Sequence, residues 1–240
     1  MNFNEATRVK EIAVADPRAK QILEKSGVDY CRGGDKSPHE SCLHPDVSAE
    51  EILSRLRKNS ESVGPDDANW ISAPLADLTL HIRERHHRYI REAIPRVGAL
   101  LTKVKTKHGK NHPEIAEIEK LFVDLGKEMI KHMQKEERIL FPYIDALECS
   151  ASGNGTLEPP FFQTVRNPVH SMMKDHDSVA ELARRIRKTS SEYTPPADGC
   201  ASYQALYLDL HEFEADLHQH VHLENNILFP RAVEMESAVV

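Results

Sequence analysis

The chain has 240 residues, enough for one substantial core and a smaller appendage. Few glycines and long runs rich in Glu, Lys, Leu, Ala and Arg favour helices, and a formal charge of -7 excludes the basic footprint of a nucleic-acid binder. Nowhere do about eighteen apolar residues run together, and the first residues lack an apolar signal segment, so a cytoplasmic protein without a membrane span is expected.

In chain order, VKEIAVADPRAKQILEKSG carries apolar residues at helical spacing. It is broken at Asp16-Pro17, where a second helix opens that Gly27 ends. The turn Tyr30-Cys31-Arg32-Gly33-Gly34 follows, then Ser37-Pro38 as cap and first turn of a short helix containing Cys42. A further helix starts at Ser48. The stretch 59–74 mixes Ser, Gly, Pro and Asp with the single Trp70, which reads as a linker with Trp70 as a candidate contact. The expected domains are therefore a small helical Cys-containing domain over 1–58, the linker over 59–74, and a larger unit over 75–240.

Four long amphipathic helices fill that larger unit. The first runs from Leu75 to about His108 with Pro95 as a possible kink, and His87 lies in line with Ile90, Ile94, Val97, Leu101 and Val104. The second carries Ile118, Phe122, Leu125, Met129, His132, Glu136 and Leu140 on one stripe. The third carries Val165, Val169, Met172, Met173, His176, Val179, Ala183 and Ile186, and the fourth Leu206, Leu210, Phe213, Leu217, His220, Glu224 and Ile227. Short turns join the first helix to the second and the third to the fourth. The expected fold is all-α, an antiparallel four-helix bundle behind a small helical domain.

One stretch occurs twice. Residues 132–142 read HMQKEERILFP and 220–230 read HVHLENNILFP, so each copy is His, three residues, Glu, two residues, then Ile-Leu-Phe-Pro. On a helix such a His and Glu lie one turn apart on the same face, with room for a metal ion, and the Pro marks a kink or the approaching helix end. His87 and His132 each lie about 22 residues from the first hairpin turn, as do His176 and His220 from the second, which puts all four about 33 Å along their helices. With Glu136 and Glu224 one turn further on, six inward donors share a layer. Each carboxylate can bridge two metals while each metal takes two His. That ratio suits iron or manganese rather than calcium or magnesium, and the absence of Cys argues against a structural zinc.

Each residue also has a plainer reading. A lone His on an apolar stripe is usually a core histidine, His86 can substitute for His87, and a single HxxxE is usually a solvent-facing pair. The duplication changes the balance, because two carboxylates on a buried stripe cost several kcal/mol unless charge compensates them. His81, His112, His170, His211, His218 and His222 read as surface, His108 as a hairpin-turn residue outside the layer, and Met129, Met172 and Met173 as core filler.

The duplicated HxxxE-ILFP together with the Tyr30-Cys31 turn resembles the repair-of-iron-centres family, di-iron proteins with a hemerythrin-like domain. The likeness covers nearly the whole chain. It implies two iron ions in an oxo- and carboxylate-bridged centre with ligands His87, His132, Glu136, His176, His220 and Glu224. It also implies cytoplasmic repair of iron-sulfur proteins damaged by nitric oxide or peroxide, by iron donation. The family turn reads Tyr-Cys-Cys-Gly-Gly, whereas Arg32 here leaves Cys31 alone, either as a redox or iron-transfer thiol or as an ordinary turn cysteine. Two other readings use the same bundle, an O2- or NO-binding sensor or carrier and a di-iron nitric oxide reductase. Oxygen carriers resembling this bundle show HxxxH on the third helix, where this chain has Ala180.

Overall fold

The computed structural model describes residues 3, 7–15, 19, 22, 23, 26, 28, 30, 34–41, 50, 51 and 70–239. The chain divides into two compact units, Met1–Pro74 with Val221–Arg231, and Leu75–His220 with Ala232–Val240. The described residues are overwhelmingly helical, with Val28 an isolated bridge residue. Among them no helix is long and apolar enough to cross a membrane.

In the first unit, helix α1 (Val9–Ala15) buries Val9, Ile12 and Ala13, and Ile22, Leu23, Val28 and Tyr30 are buried as well. The first free N–H groups of α1 are met by backbone carbonyls: Val9 donates to Lys36 O (3.0 Å) and Lys10 to Gly34 O (2.9 Å). Helix α2 (Pro38–Ser41) opens with a reciprocal cap, in which the Glu40 N–H donates to Ser37 Oγ (3.3 Å) and the Ser37 N–H to Glu40 Oε2 (2.9 Å). Gly34 has a steric reason. A Cβ there would stand 2.9 Å from Lys10 Cβ and 3.1 Å from Asn226 Oδ1. Tyr30 O accepts from Asn226 Nδ2 (3.1 Å), the Tyr30 ring meets His222 edge-on, and Trp70 O accepts from Arg231 Nη1 (2.7 Å). Asp16, Pro17, Gly27, Cys31, Arg32, Cys42, Ser48 and linker residues 59–69 lie outside the described residues, while Glu50 and Glu51 are helical.

The second unit and the 221–231 stretch hold four helical runs. Helix α3 (75–108) consists of Leu75–His81, a π-helical turn Ile82–His87, and Arg88–His108 with Pro95 inside it. Helix α4 (114–151) is Glu114–Lys135, a π-turn Glu136–Leu140, and Phe141–Ala151. Helix α5 is Arg166–Thr189, and helix α6 (201–239) is Ala201–Leu223, a π-turn Glu224–Leu228, and Phe229–Val239. Helix α4 packs against both α3 and α5. Ile90, Val97, Leu101, Ile118, Phe122, Leu125, Val179, Leu210 and Phe213 are among the buried residues of the unit, and Phe122 meets Phe213 edge-on at 5.3 Å. Met129 and Met172 are buried, but Met173 is exposed, because the neighbouring position 172 already occupies the inward stripe.

Carboxylates, Glu148 half-buried and Glu236 buried, start two of these runs. The Glu148 side chain accepts from the Leu75 N–H (2.6 Å) and the Ala76 N–H (2.9 Å) at the head of α3. Glu236 Oε1 accepts from the Val165 N–H (2.8 Å) and the Tyr143 hydroxyl (2.6 Å), and its other oxygen accepts from Thr164. The two repeat prolines neither end nor break their helices. In a regular α-helix the Pro142 ring would meet the carbonyl four residues back. Instead one wide turn, in which the Phe141 N–H reaches five residues back to Glu136 O, accommodates it and the helix runs on to Ala151. The second copy repeats this, with the Phe229 N–H bonded to Glu224 O ahead of Pro230.

Candidate metal centre

The wide turns set where the polar side chains point. The π-turn of α3 ends at His87, that of α4 begins at Glu136, and that of α6 begins at Glu224. Inserting a residue into a helical turn re-aims the side chains beside it, and such turns recur at functional sites. All six side chains singled out by spacing are buried: His87, Glu136, His220 and Glu224 at 0% exposure, His132 and His176 at 1%.

These six side chains come together as two overlapping groups of four. His87, Glu136, His220 and Glu224 form one, His132, Glu136, His176 and Glu224 the other, with the ligand atoms of each within 4.8 Å of one another. Both carboxylates belong to both groups. His87 Nε2 faces His220 Nε2 at 3.3 Å, and His132 Nε2 faces His176 Nε2 at 3.1 Å. Glu136 Oε2 stands 3.3 Å from His87 Nε2 and 3.2 Å from His132 Nε2, astride the two groups. Glu224 follows His220 by one turn on the same unbroken helical run.

The arrangement fits a pair of metal ions. Two neutral imidazoles that present Nε2 lone pairs to each other at about 3 Å repel unless a proton or a cation lies between them. Here two such pairs flank two buried carboxylates, so a cation in each group satisfies every donor at once. Outer partners orient the rings. His87 Nδ1 lies 2.7 Å from Glu137 Oε1, and since a carboxylate only accepts, the proton sits on Nδ1 and the Nε2 lone pair faces the cluster. Glu137 is in turn held by both its oxygens to Arg91 Nη2 at 2.8 Å. Burial alone would raise the Glu137 carboxyl, but the bonds from Arg91 and His87 hold it below its ordinary value. Asp175 plays a similar part for His132, whose Nδ1 is 3.5 Å from Asp175 Oδ2, with Lys135 Nζ 2.7 Å from the same oxygen. His132 first and Lys135 after it depress the Asp175 carboxyl to about 2.

His86 is not in either group. It is buried at 1%, its ring stacks on His220 (centroids 5.6 Å, planes 7° apart), and its Nδ1 lies 3.0 Å from Asp216 Oδ1. Spacing alone left His86 and His87 exchangeable; the π-turn places His87 in the cluster and His86 behind His220. His81, His112 and His218 are half-buried and His170 and His211 exposed, but His222, read as surface, is fully buried with its ring against Tyr30. Its burial comes from a contact almost two hundred residues away in sequence, which the periodicity of one helix does not register. His108 lies outside both groups and pairs with Cys200 instead. Glu137, Asp175 and Asp216 were missed. The first two are adjacent in sequence to Glu136 and His176, yet each serves a histidine of a neighbouring helix, and that pairing is tertiary.

Residues 78–232 match the sequence model described as the hemerythrin HHE cation binding domain, and residues 5–60 match one described as a domain of unknown function (DUF542). Over 226 residues the chain is 34% identical to the iron-sulfur cluster repair protein YtfE of Escherichia coli (strain UMN026 / ExPEC), covering 94% of this chain and 96% of that protein. The proteins of the same name from Shigella boydii serotype 4 and Escherichia coli strain HS are similar at 34% identity with the same coverage.

Proposed function

The chain belongs to the family of iron-sulfur cluster repair proteins that carry a hemerythrin HHE cation-binding domain, and from that premise we propose that it repairs iron-sulfur clusters damaged by nitrosative or oxidative stress in the cytoplasm. Iron is the cargo, donated from a two-iron site. His87, His132, Glu136, His176, His220 and Glu224 hold it, and the clients are the damaged iron-sulfur proteins. The observation that carries this reading is the sharing of Glu136 and Glu224 between two groups, each with two imidazoles of its own.

Imidazole and carboxylate donors in equal number per group bind ferrous and ferric iron alike, which gives the site its redox tolerance. The chain's own residues do the rest. Glu137 keeps His87 in the tautomer that presents Nε2, so that the ring is ready to accept iron and to release it without rotating, and Asp175 lies 3.5 Å from Nδ1 of His132. Glu136, within 3.3 Å of imidazoles from both groups, remains bonded to one group while the other empties. The apolar surroundings, Phe141 stacked on His87 and Met129 and Met133 buried nearby in sequence, limit water around the donors. Cys31, which lies outside the described residues, is the candidate thiol for iron transfer.

The test is reconstitution. An iron-sulfur enzyme inactivated with nitric oxide is incubated with the iron-loaded protein and a thiol reductant. Recovery of client activity with matching loss of iron from the protein supports donation. Steady turnover of nitric oxide without loss of iron supports a reductase, and reversible binding of O2 or NO without client recovery supports a sensor or carrier.

A further inference from the structure

At the end of the bundle where α3 turns into α4, a second cluster of reactive side chains stands apart from the His/Glu layer. His108, the last residue of α3, lies with Nε2 3.2 Å from Cys200 Sγ, and Cys200 is partly accessible immediately before α6 begins at Ala201. Cys200 also caps that helix, its carbonyl accepting from the Tyr203 N–H (2.8 Å) and the Gln204 N–H (3.0 Å). The groups around the pair are His112, Asp198, Glu114, Tyr203 and Lys107. His112 Nε2 is 3.0 Å from Asp198 Oδ1, its Nδ1 is 3.0 Å from Glu114 Oε1, and the Tyr203 hydroxyl donates to the same Glu114 oxygen at 3.1 Å. The rings of His108 and His112 both meet Tyr203 edge-on, at 5.6 and 5.4 Å. The acidic groups are thus taken up by His112 and Tyr203, while His108 faces the sulfur.

We propose that Cys200 and His108 form a thiolate–imidazolium pair that reacts with hydroperoxides, a modification site on the bundle separate from the metal centre. The Cys200 sulfur attacks one peroxide oxygen, an S–O bond forms as the O–O bond breaks, and sulfur gives up two electrons. His108 Nε2 passes its proton to the departing hydroxide, so hydrogen peroxide leaves as water and Cys200 becomes a sulfenic acid. A small thiol then attacks that sulfur, an S–S bond forms, water departs, and a mixed disulfide remains. Cys149 offers an internal contrast. It is more exposed than Cys200, but its Sγ donates to the Asn154 carbonyl (3.4 Å), a contact only the neutral thiol can make.

The hydrogen bond from His108, then the backbone N–H groups of Tyr203 and Ser202, bring the Cys200 thiol down to about 7. Against an ordinary thiol near 8.5, that means about fifteenfold more thiolate at pH 7. About fivefold lower intrinsic nucleophilicity offsets part of this, for a net advantage of about threefold. The experiment uses the full reduced chain. Iodoacetamide labelling is followed by peptide mass spectrometry from about pH 5.5 to 9.5, and dimedone trapping follows hydrogen peroxide treatment, in wild type and His108→Gln. The expected result is a Cys200 labelling midpoint near 7, a dimedone adduct on Cys200, and in His108→Gln an upward midpoint shift of about one unit with about twofold less adduct at pH 7. A wild-type midpoint at or above about 8.5 overturns the proposal whether or not the variant folds. So does a profile unchanged in a folded variant, or an adduct confined to other cysteines.

Discussion

Replacing Glu136 with Gln separates a metal cage from a salt-bridged core, because the two descriptions give opposite signs. The Glu136 carboxylate has no exposure, and its Oε2 stands 3.3 Å from His87 Nε2 and 3.2 Å from His132 Nε2. With metal absent and those imidazoles neutral, a buried carboxylate costs several kcal/mol relative to an isosteric amide. Partial proton sharing with the two rings offsets some of that, so about 2 kcal/mol remains. For a chain of this size that raises the melting temperature of the metal-free Glu136→Gln protein by about 5 °C over metal-free wild type. Loaded with iron the order reverses. At a hundredfold excess over the dissociation constant each bound ion adds about 2.7 kcal/mol to wild type, whereas the variant lacks a donor in both groups and gains little. Thermal unfolding of both proteins, with and without ferrous iron under anaerobic conditions, reads all four values. A metal-free variant that melts below metal-free wild type would refute the reasoning, for it would mean that charged imidazoles already satisfy the carboxylate.

Four further outcomes are expected. Asp175→Asn and Glu137→Gln each weaken iron binding about 10- to 100-fold with little change in fold, measured by competition with a chelator. Glu236→Gln removes a carboxylate whose hydrogen bonds, from Thr164, Tyr143 and the Val165 N–H, outweigh burial and hold it below its ordinary 4.5. A depressed carboxyl contributes stability that is full above about 4.5 and is lost as pH falls through the lower folded value. The variant should therefore melt about 5 °C lower at pH 7, with the gap closing below about pH 4.5; a gap constant with pH contradicts this. Gly34→Ala drives a Cβ against Lys10 and Asn226 and costs about 1–3 kcal/mol in the first unit, read by limited proteolysis. At Gly98, where a Cβ meets nothing within 4 Å, Ala should instead stabilise α3 by about 1 kcal/mol.

The parts of this molecule that were legible in its sequence are those written in one helix at a time. The duplicated HxxxE-ILFP and the equal distances of four histidines from two hairpin turns select the residues that meet in the cluster, save that they leave His86 and His87 exchangeable. What escaped is what depends on a second element. The prolines read as a kink or an approaching helix end, since a proline removes an N–H and crowds the carbonyl four residues back; that a π-turn accommodates the ring while the helix continues is a local geometry that residue spacing at 3.6 per turn does not encode. His222 lies on a helix in which residues 220 to 224 are all buried, facing partners on more than one side, so a single apolar stripe misassigns it. Asp216 and His86 are likewise 130 residues apart, and nothing in either neighbourhood announces the pair.

The central claim is most directly tested by elemental analysis of protein purified without added metal. Iron at about two per chain, falling to a small fraction in Glu136→Gln, is the expected result, one ion for each group of four donors. A chain that folds, melts cooperatively and holds neither iron nor another transition metal in stoichiometric amount would contradict it.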